Sequence, residues 1–221
     1  MHQAYNQYPQ YTDDIPEDES LKDTHNERSL TALANHLEGK NEHTVIFLDI
    51  ERTLVYIEAC TPEEYRAMRK SLESRLPRIY EGIRLESPGQ KNKNIVFYVR
   101  LMDDLIGDFL QRADALEDVT LVLVSNAGYK RCHRVRSYIK KELGLEDPIY
   151  FLDSQSSSKE SLVNRALLGF SGESYFVDDR LEEVRAVGNI PNEKLISRIY
   201  SPEHTDVWPD ILLDIESQCF Y

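Results

Sequence analysis

The sequence predicts an α/β fold: three layers, Rossmann-like, with a central parallel sheet of about five strands and helices on both faces. Three observations predict it. Short β-branched and apolar runs alternate with amphipathic segments of roughly ten to fifteen residues, the pattern of repeated βαβ units. The strand runs are apolar throughout, as strands covered on both faces must be. Several of them end on acidic or hydroxyl residues, at the sheet edge where open α/β folds place their ligands.

Composition bounds the rest. With 221 residues and 41% hydrophobic content, the chain has room for one globular domain and a tail. Residues 1–26 are rich in Gln, Tyr, Asp, Glu and Pro and nearly free of aliphatic side chains. They cannot bury enough surface to order themselves, so a disordered tail is expected there. Tyr5, Tyr8 and Tyr11 are recognition or modification sites, or simply solvated side chains. Residues 27–221 are expected to form the domain. No run is long enough for a transmembrane helix, and the N-terminus lacks a charged-then-apolar signal, so no direct membrane insertion is expected. Cys60, Cys132 and Cys219 are scattered and odd in number, which suits a reducing cytoplasm and matches no metal-ligand spacing. The formal net charge of −13 argues against a nucleic-acid partner. It does not argue against a phosphorylated substrate, because a bound divalent cation inverts the local potential.

In chain order, Leu30, Leu33, Ala34 and Leu37 recur at helical spacing and stop at Gly39, predicting a helix over Glu27–Lys40. Thr44–Leu48 is a buried strand running into Asp49. Asp49, Glu51 and Thr53 follow two apart, so an extended backbone aims them to one side. Thr61-Pro62-Glu63-Glu64 is a capping box with Pro at the first helical position. Tyr65, Met68, Leu72 and Leu76 then form one face of a helix that Pro77 ends. The stretch Glu86–Asn94 is polar, with a Pro88-Gly89 turn. The insertion at about 60–94 is a small lid or a packed decoration. Ile95–Val99 reads as a strand, and Leu105, Ile106, Phe109, Leu110 and Ala113 as the apolar face of a helix. Val119–Ser125 is a strand ending at Asn126, and Lys130–Leu143 a helix. Pro148–Leu152 is the next strand, Ser154–Ser158 a turn, and a helix starts near Lys159. Ser174–Val177 is a strand ending in Asp178-Asp179, Leu195–Tyr200 a further one, and Ile211–Tyr221 a helix.

The strand ends and the turns after them bring Asp49/Glu51/Thr53, Ser125/Asn126, Lys159 and Asp178/Asp179 to one edge. Each type suits phosphoryl transfer. A carboxylate can attack phosphorus, and a second one nearby can move the proton. Hydroxyl, amide and ammonium groups can hold the non-bridging oxygens. The aspartates offer the hard oxygen ligands that Mg²⁺ prefers. On the first segment alone, a solvated acidic turn explains the residues equally well.

Asp49-Ile-Glu51-Arg-Thr53-Leu-Val55, then Leu121-Val-Leu-Val-Ser125, then Lys159 at a helix start, then Tyr175-Phe-Val-Asp178-Asp179 resemble, in order and spacing, the four motifs of the haloacid dehalogenase superfamily. The resemblance covers roughly Thr44 to Tyr200. Within the superfamily the chain looks most like two groups. Val96-Phe-Tyr-Val-Arg100 and Val122-Leu-Val-Ser125-Asn-Ala-Gly-Tyr129 are similar to the small RNA polymerase C-terminal-domain phosphatases. The segment Phe176-Val-Asp-Asp-Arg180 is similar to the magnesium-dependent phosphatases. The resemblance implies a haloacid-dehalogenase-type fold with a minimal cap and a Mg²⁺-dependent phosphomonoester hydrolase. Asp49 would be the nucleophile that forms an aspartyl-phosphate, and Glu51 the general acid and base. Thr53, Ser125, Asn126 and Lys159 would bind phosphate. Asp49, Asp178 and Asp179 would bind metal, with Glu51 contributing through its main-chain carbonyl. A small cap leaves room for a phosphoprotein or phosphopeptide substrate.

One position departs from the pattern: the second acid is Glu51 where the superfamily has Asp. The extra methylene moves the carboxyl by up to about 1.5 Å, half of a proton-transfer contact near 3 Å. Glu51 therefore remains the acid on an adjusted backbone, acts slowly, or has lost the role. The last outcome would make the chain a binding scaffold on a phosphatase fold. Cys132 lacks the Arg six positions later, and the Gly-rich loop, of cysteine-dependent phosphatases; position 138 is Tyr138. The helix Lys130–Leu143 carries Lys130, Arg131, Arg134, Arg136, Lys140 and Lys141. It is either a solvated face or an anchor for acidic residues flanking a phosphorylated site.

Overall fold

The computed structural model describes residues 19–40, 42–60, 63, 67, 96–126, 129–146, 149–155, 157–203 and 206–218. The expected tail up to residue 18, the capping box and helix after residue 60, and the polar stretch 86–94 lie outside the described residues.

Helix α1 (Glu19–Leu37) leads into β1 (Thr44–Leu48), followed by β2 (Val55–Cys60) and β3 (Val96–Leu101). Then come α2 (Asp104–Asp114), β4 (Val119–Ser125), α3 (Tyr129–Leu143), β5 (Tyr150–Asp153) and α4 (Lys159–Ala166). The chain continues with β6 (Glu173–Asp178), α5 (Leu181–Gly188), β7 (Leu195–Ile199) and α6 (Val207–Gln218). Five strands form one parallel sheet in the order β5-β4-β1-β6-β7.

The period-two alternation of each strand divides the core. Ile46 and Leu48 face one way with Leu121, Leu123, Tyr175 and Val177, and pack against α2, α3 and α6 through Phe109, Val135 and Trp208. Val45 and Phe47 face the other way with Val122, Val124 and Phe176, under Leu33 of α1, Leu162 of α4 and Val187 of α5. This is the three-layer arrangement that the fully apolar strands predict. On the first face Trp208 packs at a tilt against Phe109 and Tyr200, with ring centroids 5.0 and 5.3 Å away. The Tyr200 hydroxyl donates to Asp103 (2.8 Å), whose other oxygen caps α2 at the Ile106 N–H (3.0 Å).

Strand order fixes where a ligand can sit. From β1 the chain builds outward through β4 to β5, then returns across the sheet to add β6 and β7 on the other side of β1. With right-handed crossovers this reversal puts α2 and α3 on one face and α4 and α5 on the other, and opens a crevice at the carboxyl end of β1.

Two sequence expectations change. Helix α1 begins at Glu19, well before Glu27, and Asn26 within it is buried. The strand expected over Ile95–Val99 is not part of the central sheet. As β3 it pairs antiparallel with β2 in a separate two-stranded sheet, Val55 opposite Leu101 and Cys60 opposite Val96. Strand β2 itself was hidden because its apolar run continues directly from the turn after Asp49.

Candidate active site

Asp49 follows the last residue of β1. Leu48 is paired with Val177 of β6 and Leu123 of β4. The Asp49 N–H extends the ladder by donating to the Val177 carbonyl (2.9 Å), so Asp49 and Asp178 emerge side by side. Ser125 ends β4 opposite Asp153 of β5, and the connector after Asp153 leads to Lys159, the first residue of α4. Ser158 caps that helix by accepting from the Ser161 N–H (3.1 Å), which fixes the backbone from which Lys159 departs.

Lys159 is 2% exposed, and its Nζ donates to Asp49 Oδ1 at 2.5 Å and to Asp178 Oδ2 at 2.6 Å. An ammonium this far from water holds its proton because both carboxylates surround it, and its pKa is raised despite burial. The second oxygen of Asp49 accepts from the Thr53 hydroxyl (3.3 Å). Burial, with the Asp178 charge alongside, pushes the Asp49 carboxyl up to about 7, against the pull of Lys159. Asp179 completes the group. One oxygen each from Asp49, Asp178 and Asp179 lie within 4.8 Å of one another. Burial and the Asp178 charge raise the Asp179 pKa, while Arg52, Lys159 and Arg180 draw it down.

This donor set fits Mg²⁺: hard carboxylate oxygens, close enough to share one small ion that usually completes its octahedron with waters and a substrate oxygen. Among the described residues this is the one group of acids and histidines close enough to hold a metal, and the Glu51 carboxylate is not part of it.

Asp49, Glu51 and Thr53 do not lie along an extended strand. The chain turns at once: Leu54 and Val55 donate their N–H groups to the Ile50 carbonyl (3.1 and 2.9 Å), and Arg52 takes a left-handed φ of 67°. The turn curls Thr53 back onto Asp49, so the Thr53 hydroxyl meets the carboxylate. Ser125 is buried at the strand end, and its side chain bonds to the Cys132 thiol. Burial pushes that thiol up to about 12, so Cys132 is a packed core group and not a thiolate nucleophile. Asn126 is exposed, and its carbonyl accepts from Gln155 Nε2 (3.4 Å). On α3 the side chains of Lys130, Arg131 and Arg134 lie outside the described residues. Arg136 and Lys140 donate to the carbonyls of Ile149 and Glu146 (3.2 and 2.8 Å), tying the helix to the chain that enters β5.

Three contributors had no role assigned from the sequence. Arg180 places its N–H on Asp178 Oδ1 (2.9 Å) and its guanidinium on Glu183. Asn26 grips Asp153 through both halves of its carboxamide: Nδ2 donates to the Asp153 carbonyl (2.8 Å) and Oδ1 accepts its N–H (2.9 Å). Arg52 stands on the turn beside the nucleophile candidate. The Asp178-Asp179-Arg180 run could have suggested the first, but nothing local in the sequence points from Asn26 to its distant partner.

No protein-family model and no curated protein matches the sequence. Among solved structures, the Legionella pneumophila effector Ceg4, carrying an N-terminal TEV protease cleavage sequence, overlaps at a TM-score of 0.49 with 15% identity. That overlap covers 80% of this chain and 94% of the other. Ceg4 with an N-terminal yeast Hog1p sequence gives 0.48 and 16%, over 80% and 95% of the two chains. The fission yeast RNA polymerase II CTD phosphatase Fcp1, bound to beryllium fluoride, gives 0.48 and 16%. There the overlap covers 85% of this chain and 54% of the other. No helix among the described residues is long and apolar enough to cross a membrane.

Proposed function

We propose that this chain is a Mg²⁺-dependent phosphomonoester hydrolase acting through an aspartyl-phosphate on Asp49, with a phosphoprotein as substrate. One observation carries the reading: a buried lysine bridges the carboxylate at the end of β1 and the one at the end of β6, with a third carboxylate alongside. A purely structural ion cluster has little use for a third acid, since each added buried charge costs desolvation energy.

In the first step an Asp49 oxygen attacks phosphorus and forms an O–P bond while the ester O–P bond breaks. The departing oxygen takes a proton from Glu51. In the second step Glu51 removes a proton from water, the resulting oxygen attacks the same phosphorus, and the Asp49 carboxylate leaves. Thr53 holds the Asp49 carboxylate in one rotamer, which keeps the attacking oxygen in line. Lys159 neutralises charge on the transferring group, with the Ser125 and Asn126 region as further donors. Mg²⁺, held by Asp49, Asp178 and Asp179 with the Glu51 main chain, would polarise the phosphoryl group and screen it from these acids.

Hydrolysis of p-nitrophenyl phosphate with and without Mg²⁺, with Asp49→Asn as the blank, tests the reading. Mg²⁺-dependent turnover that the substitution abolishes is expected. Turnover absent from the metal-loaded wild type, or surviving Asp49→Asn, would overturn it, and absence would favour the scaffold.

A further inference from the structure

The chain places glycine at three of its left-handed backbone positions, Gly39, Gly144 and Gly169, each just past a helix, where no side chain opposes the turn. Among the described residues the one other left-handed position is occupied by Arg52, between Glu51 and Thr53. An L-residue there is strained where glycine would not be, and such outliers gather at ligand clamps.

The surroundings of Arg52 say what kind of clamp. Its residue is exposed, and among the described residues its guanidinium makes no hydrogen bond or ion pair. Its charge still acts on Asp179, so it stands near the metal-binding carboxylates. Two other cations at the site are committed: Lys159 to Asp49 and Asp178, and Arg180 to Glu183. Lys159 is buried against Asp49, whereas Arg52, three residues along the turn, is exposed to solvent, where the residues flanking a phosphorylated one would lie. A guanidinium offers the planar fork that a carboxylate fits. In a protein of net charge −13, an acidic peptide needs such a local cation to approach at all.

We propose that Arg52 is a specificity-determining residue: it binds the side-chain carboxylate of an acidic residue flanking the phosphorylated one, so the site prefers acidic phosphopeptides. This rests on the phosphatase reading above.

The test uses the full chain, Mg²⁺ and two phosphopeptides identical except for Glu or Gln beside the phosphorylated residue. The wild type should show a KM about tenfold lower for the Glu peptide, the worth of one charge-assisted contact. Arg52→Ala should bring the two KM values together, and Arg52→Lys should leave an intermediate ratio. Arg52→Gly, which suits the left-handed backbone, should also erase the preference while raising Tm, separating the charge from the turn. A wild type without preference, or a ratio that survives both Ala and Gly, overturns the inference while leaving the phosphatase reading intact. A wild type that hydrolyses neither peptide nor p-nitrophenyl phosphate overturns that reading and this inference with it.

Discussion

Lys159 sits where a lone ammonium could not stay charged, and it donates to the carboxylates of both Asp49 and Asp178. Removing one member of such a set leaves buried charge uncompensated, which costs about 3–5 kcal/mol. Lys159→Met should therefore lower stability by about that much in chemical denaturation and also abolish turnover. A smaller loss, with activity retained, would mean that the lysine is an ordinary structural residue. Glu51 makes a different prediction, because proton donation matters most when the departing oxygen is a poor leaving group. Glu51→Gln should slow hydrolysis of a phosphoserine peptide by roughly 10²–10⁴-fold and an aryl phosphate by much less. Equal rates for wild type and variant on both substrates would remove the acid–base role from Glu51.

At the scale of elements, α1 clamps the outer edge of the sheet. Strand β5 is an edge strand, and Asn26 satisfies both main-chain groups of its last residue, while His25 stacks on Phe151 at 5.6 Å. Asn26→Ala would strand a buried N–H and C=O at the head of the connector to Lys159. A loss of about 1–3 kcal/mol is expected from thermal or urea unfolding. At the opposite end of the sheet, His43 is buried against Thr120, with Nε2 and Oγ1 2.7 Å apart. Burial, with Lys40 and His36 adding to it, pushes its pKa down to about 4. The folded protein therefore keeps His43 neutral while the unfolded chain protonates it below about 6.5. Its contribution is complete above that pH and is lost as pH falls towards 4, at a slope near 1.4 kcal/mol per pH unit. His43→Gln should flatten the stability profile over that window, and parallel profiles for variant and wild type would contradict the assignment. Helix α1 also shows where sequence reading stops. Leu30, Leu33 and Leu37 mark its core-facing stripe, but Asn26, one turn before them, holds on through its polar contact with Asp153, which carries no periodicity.

At the scale of the molecule, folding gathers Asp49, Asp178 and Asp179 from two neighbouring strands into one acidic group, and a ligand that binds only the folded state stabilises it. Mg²⁺ at a hundred times its Kd should add about 2.7 kcal/mol to the unfolding free energy. Asp179→Asn should remove most of that gain. An unfolding midpoint indifferent to Mg²⁺ in the wild type would show that the carboxylates do not form a metal site.

The amino-acid sequence by itself determined the layered fold and the residues at the strand ends, because burial on both faces imposes fully apolar runs and an open α/β sheet collects the ends of those runs at one edge. It also carried Lys159 and Asp178 as separate signals. Only the tertiary structure decided that they share a proton-rich contact with Asp49, since that depends on the parallel register of β1 with β6 and on the cap that starts α4. The departure of β3 from the main sheet and the grip of Asn26 on Asp153 were likewise settled by contacts between segments far apart in the chain. No local pattern of side chains encodes which distant main-chain group will need a partner.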